Sequence, residues 1–187
     1  MTNFLGSTSK LKFLFFAAAY TYISMFFSTA SLSSDYTVCE EIAKKVEYKR
    51  GLPENILTSI ALVEAGRKYT NGEIMSWPWS LNHAGTSLFF DNKSDALKYL
   101  KQNISKTFKN IDVGCMQVNV KWHSKNFDSF ENMLDPLKNI QYAASFLADL
   151  KRKHGSWEKA IKYYHSSTTK LNVKYYAKVS AVWNAKQ

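Results

Sequence analysis

The stretch "NILTSIALVEAGRKYTNG", residues 55–72, constrains the fold most, because from Ile56 to Ala65 nearly every residue is aliphatic or small. Pro53 and Glu54 suit a first helical turn and Gly66 suits its end, so the spacing predicts a helix over 53–66. Ile56, Ile60 and Glu64 then fall at i, i+4 and i+8, which puts a carboxylate on the face that buries two isoleucines. Desolvation and the negative end of the helix both disfavour the charged form, so the pKa of Glu64 is expected to rise. A carboxyl held neutral near physiological pH is what a general acid needs. The alternative is a Glu64 that turns outward or pairs with Arg67 or Lys68.

The first thirty residues read as an export signal rather than as part of the fold. In "SKLKFLFFAAAYTYISMFFSTA", Lys10 and Lys12 form a basic start, Leu11 to Phe27 an apolar stretch, and Ser28-Thr29-Ala30 a small-residue cleavage site. The expected organisation is therefore a signal peptide over 1–30 and one domain over 31–187. A retained membrane anchor is the alternative for the first segment. The remaining residues hold enough of the chain's 45% hydrophobic content for one core and not obviously for two.

The full chain carries a formal net charge of +10, and the first thirty residues contribute only two of its lysines and none of its acids. A basic exported protein favours an anionic partner such as a wall polymer, and export argues against nucleic acid. No membrane contact is expected beyond the signal segment, and the expected state is a monomer. Cys39 and Cys115 are the two cysteines, and an oxidising compartment favours a disulfide between them. Two buried free thiols are the alternative.

Helix signals dominate the rest. "SDYTVCEEIAKKVEYKRG" opens on Ser34 or Asp35 as a cap, carries Val38, Cys39, Ile42 and Val46 as an apolar stripe, and stops at Gly51. Further helices are expected over 94–105, over 136–154 with Asp135 as cap and Gly155 as stop, after Ser156, and around 175–183. Between Trp77 and Phe90, "WPWSLN" and "SLFF" flank "HAGT" as a small hairpin. The expected class is mainly α with a minor β element.

Two other segments carry groups suited to sugars. In "NIDVGCMQVNVKWH", residues 110–123, Gly114 permits close backbone approach, and Met116, Gln117 and Asn119 offer a soft apolar contact and two amides. In "GSWEKAIKYYHSS", residues 155–167, the tyrosines at 163 and 164 precede His165 and can pack on a sugar face. The other histidines, His83, His123 and His154, show no paired metal spacing, so neither a metal nor another cofactor is expected.

In this order the three segments resemble the lysozyme-like lytic transglycosylases, the SLT-domain family that cleaves bacterial peptidoglycan. The family's Glu-Ser-Gly, Gly-Leu-Met-Gln and Ala-Tyr-Asn-Ala-Gly correspond here to Glu64-Ala65-Gly66, Gly114-Cys115-Met116-Gln117 and Tyr163-Tyr164-His165-Ser166. The strings "DVGCMQVN", "DPLKNIQYAASFL" and "WPWSLN" are similar to a periplasmic branch, some of whose members are associated with envelope-spanning secretion machines. The resemblance implies a lysozyme-like α+β fold, residence in the periplasm, peptidoglycan glycan strands as substrate and secretion-system components as further partners. It implies Glu64 as the sole catalytic acid and base, and Met116, Gln117, Asn119, Tyr164 and His165 at the substrate. Trp77, Trp79 and Asn82 have no counterpart in the core family motifs and are assigned to saccharide binding, against the alternative of a buried aromatic hairpin. Ala65 in place of Ser and His165 in place of Asn depart from the pattern. The implied reaction closes the muramyl O6 onto C1 and consumes no water. A hydrolase on the same fold would need a second carboxylate, for which Asp112 and Asp91 are the candidates. A non-catalytic wall-binding or secretion-scaffold protein is the remaining alternative.

Overall fold

The computed structural model describes Met1, residues 30–105 and residues 107–187. The expected signal segment therefore lies outside the described residues apart from its two ends. Residues Asp35–Gln187 form one compact unit, distinct from Met1–Ser34. Among the described residues no helix is long and apolar enough to cross a membrane.

Helix α1 (Ala30–Arg50) runs through Ser34 and Asp35, so neither caps it. It ends on Gly51, whose φ of +60° favours glycine. The next helix, α2 (Ile56–Ala65), starts three residues later than its sequence predicts, because Asn55 adopts φ +62° and its side chain makes no cap. The cap comes from α1 instead. The buried Glu47 carboxylate accepts the backbone N–H groups of Asn55, Leu57 and Thr58 at 3.1, 2.5 and 3.1 Å. An anion at this helix start satisfies orphan donors and faces the positive end of the dipole. Ile56, Leu57, Ile60 and Ala61 are fully buried, each large side chain contributing roughly 1.5–3 kcal/mol of apolar burial.

Two small antiparallel sheets follow. β1 (Gly66–Lys68) pairs with β2 (Ile74–Ser76), and the second sheet has the order β4-β3-β5-β6, built from β3 (Ser80–His83), β4 (Thr86–Phe89), β5 (Ile111–Val113) and β6 (Val118–Asn119). The β3–β4 hairpin turns on Ala84 and Gly85, at φ +52° and +95°, the pair of positive angles that a tight two-residue hairpin turn requires. Helix α3 (Lys93–Asn103) lies between β4 and β5 and is capped by Asn92, which accepts from Asp95 N at 2.9 Å. It starts one residue before the predicted 94 and ends two before the predicted 105.

The second half is helical: short α4 (Val120–His123) and α5 (Phe130–Met133), then α6 (Pro136–His154), α7 (Trp157–His165) and α8 (Thr169–Ala185). The bounds of α6 fall where Asp135 and Gly155 predict them, with Asp135 accepting from Lys138 N and Gly155 at φ +88°. Ser156 caps α7 through Lys159 N. α8 begins six residues earlier than the amphipathic piece that its sequence predicts. Helices α6, α7 and α8 pack in succession, and α8 returns to lie against α2. Trp183 Nε1 donates to the Glu54 carbonyl at 2.7 Å, fixing that return. The class is mainly α with a small antiparallel sheet, as the sequence predicts.

Candidate active site

Three strands carry a polar row. Asn82 on β3 pairs in register with Asp112 on β5, and Asp112 with Asn119 on β6. Residues opposite one another in a sheet share a face, so two asparagines far apart in sequence flank one acid. Asn119 Nδ2 donates to Asp112 Oδ1 at 2.7 Å. Burial pushes the Asp112 carboxyl above its usual range, and the Asn119 hydrogen bond offsets part of that.

The row forms one wall of a cleft of about 550 Å³ whose other lining includes Glu64, Gln117, Trp122, His123, Tyr142, Phe146, Tyr163, Tyr164 and His165. Glu64 sits one residue from the end of α2. Its pKa is pushed up to about 7, first by burial and then by the Asp112 charge, while Tyr175 and Lys178 pull it down. Among the described residues the buried Tyr175 hydroxyl completes no hydrogen bond by geometry, yet it acts on Glu64, with which it lines a second cavity. His165 stacks on the Tyr175 ring at 4.4 Å with 6° between planes. Burial and Lys178 together lower the pKa of His165, so its imidazole is neutral around pH 7.

A buried scaffold holds the turn at 114–117. Gly114 lies at φ +77°, and a Cβ there would stand 3.0 Å from Asn139 Nδ2. Asn139 is 0% exposed. Its amide donates to the carbonyls of Val113 and Met133, and its oxygen accepts Met116 N–H, all at 2.9 Å. Gln117, itself at φ +45°, donates through Nε2 to Gly114 O at 2.9 Å and to Ser80 Oγ at 3.1 Å. Tyr164 donates its hydroxyl to Met116 O at 2.8 Å. Cys39 on α1 and Cys115 in this turn are joined by a disulfide with Cα atoms 5.7 Å apart.

Gly66 is required by space rather than by φ. A Cβ at this position would meet the Leu62 carbonyl at 2.5 Å and Ile74 Cγ2 at 2.9 Å. Strand β1 thus leaves α2 directly, which keeps Glu64 at the lip of the cleft.

Of the residues assigned from sequence, Glu64, Asn82, Gln117, Asn119, Tyr164 and His165 meet at the cleft. Three do not. Met116 is fully buried and only its backbone serves the turn. Trp77 is 1% exposed and donates to the Phe90 carbonyl, with Arg67 lying over its ring at 4.8 Å. Trp79 packs on the core and donates to Asp35 at 3.1 Å. Both indole N–H groups are satisfied within the protein, and neither tryptophan lines the cleft. Asp91 is exposed and ion-paired with Arg67, away from the cleft. Among the described residues no three His, Cys, Asp or Glu side chains cluster as a metal ion needs.

The sequence reading missed Tyr175, Asn139, Trp122, Tyr142 and Phe146. Trp122 is 64% exposed on the cleft wall, a placement that helix periodicity does not separate from a core aromatic. Tyr142 and Phe146 stand at i and i+4 on α6, and the Tyr142 hydroxyl shares a hydrogen bond with His123 Nδ1 at 2.7 Å. That i, i+4 spacing was the available signal.

The model of the transglycosylase SLT domain family matches residues 82–181, more than half of the 187. The chain belongs to this family. No curated protein and no solved structure matches it. The SLT match takes in the polar row, the 114–117 turn and the Tyr164-His165 end of α7, and it begins eighteen residues after Glu64.

Proposed function

We propose that this SLT-domain protein is a peptidoglycan lytic transglycosylase in which Glu64 is both acid and base. The observation that carries the reading is a single carboxyl with a pKa of about 7 at the lip of a cleft lined by amides and aromatic rings. Such a group is protonated often enough at neutral pH to donate and ionised often enough to accept.

Neutral Glu64 protonates the oxygen linking N-acetylmuramic acid to N-acetylglucosamine, and the C1–O bond breaks. The resulting carboxylate removes the proton from the muramyl O6 hydroxyl as that oxygen bonds C1, which leaves a 1,6-anhydro ring and returns Glu64 to its neutral form. Asn82, Gln117 and Asn119 offer amides to hydroxyl and acetamido groups, and Trp122 and Tyr163 offer ring faces. The net charge of +10 favours an anionic wall polymer. Export to the periplasm through residues 1–30 belongs to the same proposal, as does service to an envelope-spanning secretion machine, which the strings quoted above support.

A hydrolase is the second reading, favoured by Asp112, which lines the same cleft and acts electrostatically on Glu64. Asp112 is itself hydrogen-bonded to Asn119 within the sheet, which suits a bracing role better than attack. Digestion of purified peptidoglycan in heavy-oxygen water decides between them. The proposal expects 1,6-anhydromuramic ends free of label; labelled reducing ends, lost in Asp112→Asn, would establish the hydrolase.

A further inference from the structure

Beyond the main cleft a second cavity of about 270 Å³ opens, lined by Val63, Glu64, His165, Leu171, Lys174, Tyr175 and Lys178. It shares Glu64 and His165 with the cleft, so the two depressions meet at the acid. Their chemistry differs. The main cleft presents amides, rings and the Asp112 carboxyl, whereas the second presents two ammonium groups one helical turn apart on α8. Neither Lys174 nor Lys178 forms an ion pair with an acidic side chain among the described residues. Lys178 interacts electrostatically with Glu64, which lines the same cavity, and a neutral Glu64 offers it no counter-charge.

We propose that this second cavity is a carboxylate subsite, in which Lys174 and Lys178 hold an acidic group carried by the strand whose bond lies at Glu64. This inference rests on the glycan-cleaving reading and names which part of the substrate falls on this side of the acid. A glycan strand of this class offers carboxylates in two places, the lactyl group on the muramyl ring and the free ends of the stem peptide. Two ammonium groups at i and i+4 span one such anion, with the Leu171 and Val63 side chains covering the apolar part of its carrier. The cavity adjoins the cleft at Glu64 and His165, which line both.

The test measures binding, so that it does not depend on turnover. Glu64→Gln protein is titrated calorimetrically with glycan strands in three forms: with stem peptides, stripped of peptides so that only lactyl carboxylates remain, and with every carboxylate converted to amide. At least one carboxylated form is expected to bind about tenfold more tightly than the amidated strand, and the form that does so identifies the source. Lys174→Met with Lys178→Met should bring that ratio close to one. The same charge removed elsewhere, by Lys98→Met with Lys101→Met on α3, should leave the ratio intact, which separates a site from the general pull of a basic protein. A ratio near one in the parent, a ratio that survives loss of Lys174 and Lys178, or an equal fall in the α3 control overturns the inference. If wild-type protein cleaves no glycan while the ratio and its loss are observed, the cleavage reading fails and the subsite stands.

Discussion

The Tyr164 hydroxyl reaches across 48 residues of sequence to the Met116 carbonyl at 2.8 Å, binding the end of α7 to the turn that forms the cleft floor. Its hydroxyl is therefore committed to the protein, while the residue still lines the cleft. Tyr164→Phe should lower stability by about 1 kcal/mol, or a few degrees in Tm. Cleavage should slow by about tenfold as the turn loosens. Thermal unfolding and turnover on purified peptidoglycan check both; unchanged turnover would mean that the turn holds its position without Tyr164.

The raised pKa of Glu64 fixes the direction of the pH profile. Protonated Glu64 is the form that can donate, so kcat/KM should fall tenfold per pH unit on the alkaline side of about 7. Lys178→Met should move that limb to higher pH, since Lys178 holds the pKa down. Rates from pH 5 to 9 on both proteins check this, and a limb that stays in place would separate Lys178 from the acid.

The same shift is a statement about stability. The unfolded chain releases the Glu64 proton near pH 4.5 while the folded chain keeps it until about 7, so folding loses free energy as pH rises through that window and levels off above it. Glu64→Gln lacks this loss. The variant should therefore gain stability relative to wild type between pH 4.5 and 7, by on the order of 1–3 kcal/mol at pH 8, while its cleavage rate falls at least 10²- to 10⁴-fold. Urea unfolding at pH 4 and pH 8 measures the first effect, and a difference independent of pH would show that Glu64 titrates normally.

Asn139 serves three backbone groups from inside the core. Asn139→Ala leaves two carbonyls and one N–H without partners and should cost about 3 kcal/mol or more. Asn139→Asp keeps the acceptor for Met116 N–H but removes both donors and sets a carboxylate oxygen against the Val113 and Met133 carbonyls, so it should not rescue the loss. Denaturant midpoints of the two variants check this.

Glu47→Gln keeps one acceptor for the start of α2, so it should cost less than Glu47→Ala, which strands three backbone N–H groups and should lose about 2–3 kcal/mol. Equal losses would mean that the charge, and not the oxygen atoms, holds the helix.

Local signals were legible at several places where one residue decides, although Ser34 and Asp35, expected as a cap, fall inside α1. Asp135, Gly155 and Ser156 placed the ends of α6 and the start of α7, and "HAGT" placed the hairpin, because caps and tight turns are set by neighbours in sequence. Glu64 stood out as a charge at the end of an apolar run. Pro53 and Glu54 misled, since the partner that caps α2 is Glu47, on another helix. Trp77 and Trp79 lie outside the cleft lining: aromatic content close to a hairpin does not say which face it takes. The union of Asn82, Asp112 and Asn119 depends on strand register, and the place of Tyr175 depends on how α8 returns to α2. Both are set by packing between distant segments.

The Cys39–Cys115 bond has a further consequence. Its sequence separation of 76 closes a ring that contains α2, both hairpins and α3, and Glu64 with them. The SLT match begins at residue 82, so Glu64 and Cys39 lie ahead of the matched segment. The covalent tie from Cys39, ahead of the matched segment, to Cys115, within it, anchors helix α1 to the turn beside the cleft whatever the sequence between them does.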